Sequence, residues 1–578
     1  MNRTIATALA AACLVLVSGC VRVPTGGPVE ETRSEGKVSS DPGVFIDPRP
    51  PQDGEGPVEI VDHFLDAMQA TPIQTQTARR FLSEDADAAW DPGLETITYA
   101  EPPAPIETPD GVLVTLTGAD RLDERGAWQG ALPADQRDIT FPMVMEDGEW
   151  RIDAAPDALI VPEDWFESRY VPASLYFFDP TQSILAPEPI YVPKGEQLAS
   201  SLIKKLVKGP GDQLRRVVQS AVPAGLEVVV GVRVSGEGEA VIPLAGEAQL
   251  TAATIELMMA QFAWTLRQDA AIETIRVTLN GDAVPLPGGV SAYRVDGGDE
   301  YDPAGFRASP LLYGLRDGRV VSGTPSGLSP VAGPLGSRDL GLRSIGTSLD
   351  ATAVAGVGAE GTSLLMGELG DSADSNRVET IVSSATDLLR PSWDFAGRTW
   401  LVDRTTAGAR VLYVYEDRVQ GLRIPGLTGT NVRSFQVSRD GTRLVAVVRR
   451  DGSDLLVVSR IEHSGTGRVV GATRTERIGT GGEANLPIRS ITWASPERLA
   501  MLIPLTPTLT HVQLVSVDGS PAVPEAASVS LEERLHSLAG SPYPDEPLYG
   551  LARDTLVRVV DQDSTSIDPG ITTLVYVG

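Results

Sequence analysis

From Ser291 to Gly578 the chain holds no long stretch with apolar residues at helical spacing. Short apolar runs recur instead: LLYGLRDGRVV, ATAVAGVGAEGTSLLMGEL, SWDFAGRTWLVDR, SFQVSRDGTRLVAVVRRDGSDLLVVSRI, SITWASPERLAMLIPL and HVQLVSVDGSPA. Polar turn residues separate them, as in half-buried strands joined by tight connections. With no helix to cover a core, strands must pack on strands. Gly397 in FAGRTWLV and Gly441 in RDGTRLVAV occupy matching positions 44 residues apart, about one four-stranded propeller blade. The units around Asp350 and Glu497 read as degenerate copies. The Asp-Gly pairs at Asp317, Asp440, Asp451 and Asp518 read as hairpin turns, and ITTLVYV as a strand that closes the ring. A region of this length fits about five to seven blades. An all-β propeller is expected over 291–578.

The opposite end is organised differently. Arg3 precedes an apolar run from Ile5 to Val17 of about thirteen residues, short of the ~20 that span a bilayer and typical of a signal-peptide core. The sequence Val17-Ser18-Gly19-Cys20 resembles the bacterial lipobox. That resemblance implies a signal peptide over 1–19, cleavage between Gly19 and Cys20, and S-diacylglycerol and N-acyl groups on Cys20. The only other cysteine, Cys13, leaves with the signal peptide, so no disulfide, thiol nucleophile or cysteine metal site is expected. The formal charge is −29, which repels nucleic acid and anionic lipid alike. No nucleic-acid partner is expected, and attachment to the membrane falls to the lipid. Residues 20–57 are rich in Pro, Gly, Ser and charge without apolar periodicity and read as a disordered tether.

Two α+β segments lie between. In 58–170, VEIVDHFLDAMQA carries one apolar helical face, TARRFLSEDADAAW reads as a second helix, and the strands ETITYA, GVLVTLTGA and ITFPMVMEDGEWRIDAAP follow, the last with a hairpin at Asp147-Gly148. Two helices before a curved antiparallel sheet closed by DGEWRI resemble the NTF2-like fold, a cone with a pocket. In 171–290 the order is β-β-α-β-β-α-β, with LEVVVGVRV as one of the strands and Gly209-Pro210 ending the first helix. Tyr176-Phe177, Lys208-Gly209-Pro210, VPAGLEV from Val222 and LNGDAV from Leu279 resemble the GerMN domain.

Candidate chemistry is sparse. Lys204, Lys205 and Lys208 form a possible binding patch for an anionic ligand, although cations in the last turn of a helix also complement its dipole. Asp62, His63 and Asp66 read as a solvated helix face. Gly356-Val-Gly358-Ala-Glu-Gly361 matches the dinucleotide fingerprint, but the run after it is strand-like where that mechanism needs a helix, so it reads as a hairpin loop. His63, His463, His511 and His536 have no metal-ligand spacing. No cofactor, metal or catalytic residue is assigned, and binding is favoured over catalysis.

A lipidated cysteine, a tether, an NTF2-like unit, a GerMN domain and a propeller, in that order, resemble the actinobacterial LpqB lipoprotein family. The resemblance implies a non-enzymatic protein anchored on the extracytoplasmic face of the plasma membrane. It further implies an accessory of the MtrAB two-component system that contacts the extracellular domain of the sensor kinase MtrB and affects cell-wall homeostasis and division. Two rival readings remain: an envelope lipoprotein that captures a wall fragment or small molecule, and a wall-modifying enzyme on the propeller.

Overall fold

The computed structural model describes residues 47–578 apart from 72, 371–376, 481–486, 522–527 and 544. Gly19, Cys20, the signal peptide and the tether as far as residue 46 lie outside the described residues. Residues Pro48–Gly578 form one compact unit.

In the N-terminal segment the helix Pro57–Ala67 starts where Glu59 Oε2 accepts the Gly56 N–H at 2.9 Å. Its inner face buries Ile60, Val61, Phe64 and Leu65. The expected second helix is two short ones, Gln76–Arg79 and Glu84–Ala89. Ser83 causes the break, because its Oγ accepts the Ala86 N–H at 3.2 Å and so caps a new helix. The sheet is also not purely antiparallel: Glu95–Tyr99 pairs antiparallel with Asp120–Asp123 but parallel with Leu159–Pro162. The long excursion between 99 and 159 supplies the crossover that a parallel pair needs. The expected hairpin at Asp147-Gly148 forms, with φ of 51° and 85°. Phe64 meets Trp90 and Phe141 at ring-centroid distances of 5.4 and 6.0 Å, so aromatic rings occupy the interior.

The middle segment opens with a long hairpin, Tyr170–Phe178 against Leu185–Pro193. The helix Leu198–Val207 buries Leu202, Ile203 and Leu206, and Gly209 follows it at φ 81°. Strands Glu239–Ala245 and Thr274–Leu279 run parallel, joined by the helix Ala252–Leu266, whose first turn Thr251 caps. LEVVVGVRV is not one strand. Only Glu227–Val228 and Arg233–Val234 pair with Glu239–Ala245, and Val229 and Val230 are 63% and 52% exposed. Pro243 stands opposite Val229 and accepts its N–H at 3.2 Å, but it has no N–H to return, so the ladder stops there.

Six sheets form the C-terminal segment among the described residues. Their innermost strands are Leu342–Thr347, Ser392–Trp393, Asn431–Val437, Ser490–Ser495, Ser537–Ala539 and Ile571–Val575. Each touches the next in a closed circle, and the last touches the first. The region is a six-bladed propeller. The first blade joins Leu312–Arg316, Arg319–Thr324 and Gly327–Pro330 to Ile571–Val575, so the strand expected to close the ring does so from inside. Gly397 and Gly441, at φ 76° and 72°, turn the first hairpins of the third and fourth blades. Ser348–Asp350, Ser438–Asp440 and Ser495–Glu497 make the same hydroxyl-to-carboxylate bond at 2.8, 2.7 and 3.0 Å in the first turns of the second, fourth and fifth blades, which is what the degenerate copies retain. The pair at Asp518 is not a two-residue hairpin. Its carboxylate accepts from Ser516 Oγ and the Ser520 N–H, and a longer connection follows before Ser528–Leu531. Gly356 and Gly358 lie within the strand Ala353–Gly358, and the hairpin to Leu364–Glu368 turns after them.

Leu574 on the closing strand is 1% exposed and packs between the first and sixth blades. Leu574→Ala will cost about 2–5 kcal/mol of stability, read from the shift in a urea unfolding midpoint. A loss below about 1 kcal/mol would mean that the ring does not depend on this strand.

Candidate functional site: a cleft where three domains meet

The hairpin Tyr170–Phe178/Leu185–Pro193 lies on the propeller face that carries the first turns of the blades. Glu188, 6% exposed, holds it there. Arg460 Nη1 and Nη2 donate to its two carboxylate oxygens, each at 2.7 Å, a two-pronged pair. Arg443 Nη2 lies 3.0 Å from Oε1 and also donates to the Pro187 carbonyl. Arg443 is completely buried, and the turn before it aims it: the Ser438 Oγ accepts its backbone N–H at 3.0 Å. Taking such charges out of water costs several kcal/mol each, which close pairing offsets. Around this clamp Tyr176 donates to Glu497 at 3.0 Å, Tyr191 to the Pro521 carbonyl at 3.2 Å, and the His463 N–H to the Arg216 carbonyl at 3.0 Å. Burial and the neighbouring Arg398 push His463 down to about 4.

The N-terminal domain docks on the same hairpin through its turn Asp123–Ala127. The Tyr191 N–H donates to the Gly126 carbonyl at 2.8 Å. Gly126 sits at φ 75°, and a Cβ there would come within 2.3 Å of the Tyr191 oxygen, so only glycine permits the approach. The lysines of the expected binding patch are divided. Lys205 donates to the Glu124 carbonyl at 3.1 Å, and Lys208 pairs with the Glu124 carboxylate at 3.3 Å. Burial pulls Lys205 down to about 8. Lys204 is exposed. Two of the three thus fasten one domain to another. Asp62, His63 and Asp66 lie on an exposed helix face, with His63 paired to Glu55 at 2.9 Å.

Between the three domains opens a cleft of about 1130 Å³. Arg121, Arg125 and Trp128 line it from the N-terminal domain, Phe177 and Ile190 from the hairpin, and Arg474 and Arg477 from the fourth blade. The Glu188–Arg460 pair also borders it. Burial raises the carboxyl of Glu95, and the Arg121 guanidinium pulls it part of the way back. Domain junctions are where ligand sites concentrate, and this one mixes guanidinium, carboxylate and aromatic surface. Among the described residues no group of three or more His, Cys, Asp or Glu could hold a metal ion.

Sequence reading did not find Glu188, Arg443 or Arg460. The one signal for them was a charged residue inside an otherwise apolar strand, Glu188 in LAPEPIYVP and Arg443 heading RLVAVV.

Three family models match: "Lipoprotein LpqB, N-terminal domain" over residues 50–167, "Sporulation and spore germination" over 174–285, and "Lipoprotein LpqB beta-propeller domain" over 318–566. A Thermobifida fusca protein named lipoprotein LpqB is 28% identical over 91% of this chain and 92% of its own length. The chain belongs to the LpqB lipoprotein family. Further LpqB lipoproteins match from Streptomyces coelicolor, 27% identical over 94% of this chain and 93% of the relative, and from Mycobacterium bovis, 27% identical over 91% and 90%. An LpqB lipoprotein is a membrane-anchored envelope protein, and among the described residues no helix is long and apolar enough to cross a membrane. None of the three matching descriptions names a catalytic activity.

Glu188→Gln leaves two guanidiniums without their counter-charge and will cost about 3–5 kcal/mol, read as a lower unfolding midpoint and faster proteolytic cleavage between the middle domain and the propeller. An unchanged cleavage rate would show that the domains are held by other contacts. His463 titrates at about 4 when folded against 6.5 unfolded. Between those values the unfolded chain binds the extra proton, so this residue makes stability fall as pH drops through that window. His463→Gln will flatten the acid limb of a stability–pH curve over that range; an identical limb would contradict the assignment.

Proposed function

We propose that this LpqB-family chain, lipid-anchored through Cys20 on the extracytoplasmic face of the plasma membrane, is an accessory protein of the MtrAB two-component system. It contacts the extracellular domain of the sensor kinase MtrB and so affects cell-wall homeostasis and division, the role that the family resemblance implies. It carries out no catalysis of its own. The observation that supports this reading is the hairpin Tyr170–Phe178/Leu185–Pro193, which holds the propeller through Glu188 and the N-terminal domain through Tyr191 and so makes the three domains one unit. A partner is biased between two states only by a surface that fits one better than the other, and a fixed arrangement of domains keeps such a preference. The middle domain covers one face of the propeller, leaving the loops of the opposite face, such as that around Asp451 and Gly452, for the kinase. Confinement to the same membrane raises the effective concentration of the two proteins, so modest affinity suffices.

The deciding measurement is a titration of lipid-free residues 48–578 against the purified kinase extracellular domain. Saturable binding with a Kd of about 50 μM or tighter is expected. Its absence, with both proteins folded, removes the kinase reading. A second reading is favoured by the cleft of about 1130 Å³, which has room for a wall fragment. Calorimetric titration of soluble wall fragments into the same protein will show saturable heat that Arg474→Ala abolishes if this reading holds.

A further inference from the structure

The sheet of the middle domain ends in an open edge. Glu227–Val228 and Arg233–Val234 pair with Glu239–Ala245 on one side, and among the described residues no strand pairs with them on the other. Between these two short strands, residues 229–232 stand against only Ile242 and Pro243, four against two, so the edge bulges. Val229 is 63%, Val230 52% and Val234 38% exposed. Native sheets deter pairing at an edge with charge, lysine above all, or with proline. Residues 226–234 hold neither lysine nor proline, and their two charges, Glu227 and Arg233, are of opposite sign. Three β-branched aliphatic side chains in the open are a surface that another extended segment covers.

The two charges say what covers it. Glu227 and Arg233 are exposed, and among the described residues neither side chain makes a hydrogen bond or an ion pair. Each stands three residues from Val230, one on either side. An antiparallel partner of the same sequence, centred on Val230, therefore sets Arg233 opposite Glu227 and Glu227 opposite Arg233. Val230 then meets its own counterpart, and Val229 meets Gly231, which has no side chain to obstruct it. A shift of one residue in either direction loses both ion pairs, so the charges select this register. A second copy of the chain carries the complementary pattern by identity. Its formal charge of −29 opposes association at long range, but salt screens that repulsion, and the segment itself is neutral. We propose that this edge is a contact surface between two copies of the chain, which associate antiparallel about a two-fold axis through Val230. Each copy presents the same patch to the other, as a two-fold contact requires. Nothing in this contact depends on the proposed kinase reading.

The test uses lipid-free residues 48–578, one compact unit, in about 0.15 M salt, where repulsion beyond ~8 Å is screened. Sedimentation velocity from about 1 to 300 μM should show the average mass rising toward twice that of one chain. Half-conversion near about 100 μM is expected for an interface smaller than the standard ~1,600 Å². Glu227→Arg and Arg233→Glu, each alone, set like charges opposite each other and should weaken association at least about tenfold. The double variant exchanges the partners and should restore association to within about threefold of the wild type. A second readout leaves the charges alone. Residues 48–578 contain no cysteine, so under copper-catalysed air oxidation Val230→Cys can form a disulfide only between copies, and it should do so. Ala224→Cys, exposed but far from its counterpart in this register, should not. A single-chain mass at every concentration overturns the proposal. So does a double variant no better than either single one, or equal cross-linking of the two cysteines.

Discussion

One carboxylate sets the spatial relations of this molecule. Glu188 leaves the middle domain on the edge of its hairpin and ends between two guanidiniums of the fourth blade. The hairpin that carries it also receives the N-terminal domain through the Tyr191 backbone. Three domains are therefore referenced to one strand, Leu185–Pro193. A buried ion pair adds little net stability over a well-packed apolar contact, but it tolerates only one geometry. An apolar patch between the same surfaces would permit sliding; two prongs at 2.7 Å on one carboxylate do not.

The cleft follows from that arrangement. Its walls come from all three domains. Arg474 and Arg477 on the propeller stand across from Arg121 and Trp128 only because the hairpin spaces the domains apart. The lysines show the same economy of contact: Lys205 and Lys208 at the end of one helix reach Glu124 on the neighbouring domain. Helix-end cations, read from sequence as complementing a dipole, complement a neighbour as well.

Repetition made the propeller legible. Gly397 and Gly441 must adopt positive φ to turn their hairpins, and that requirement fixed the unit length. Periodicity likewise revealed the helices at Pro57–Ala67, Leu198–Val207 and Ala252–Leu266. Two readings failed where a single residue overrode the pattern: Ser83 restarted a helix, and Pro243 silenced the ladder opposite Val229. The second effect acts across strands, so no local window contains it. The cleft and the Glu188 clamp were invisible for the same reason, since Glu188 and Arg460 meet only after two domains have folded and docked.

The first blade has a consequence for the order of events in the life of the chain. Its inner strand is Ile571–Val575, paired with Leu312–Arg316, so its two halves are made at opposite ends of the propeller region. During synthesis the five complete blades can collapse as they emerge, but the circle stays open, with a bare strand edge, until the last stretch arrives. Such an edge invites pairing with other chains. The longest loop closure in the domain is also its final one. The feature that locks the ring when complete therefore keeps it from locking early.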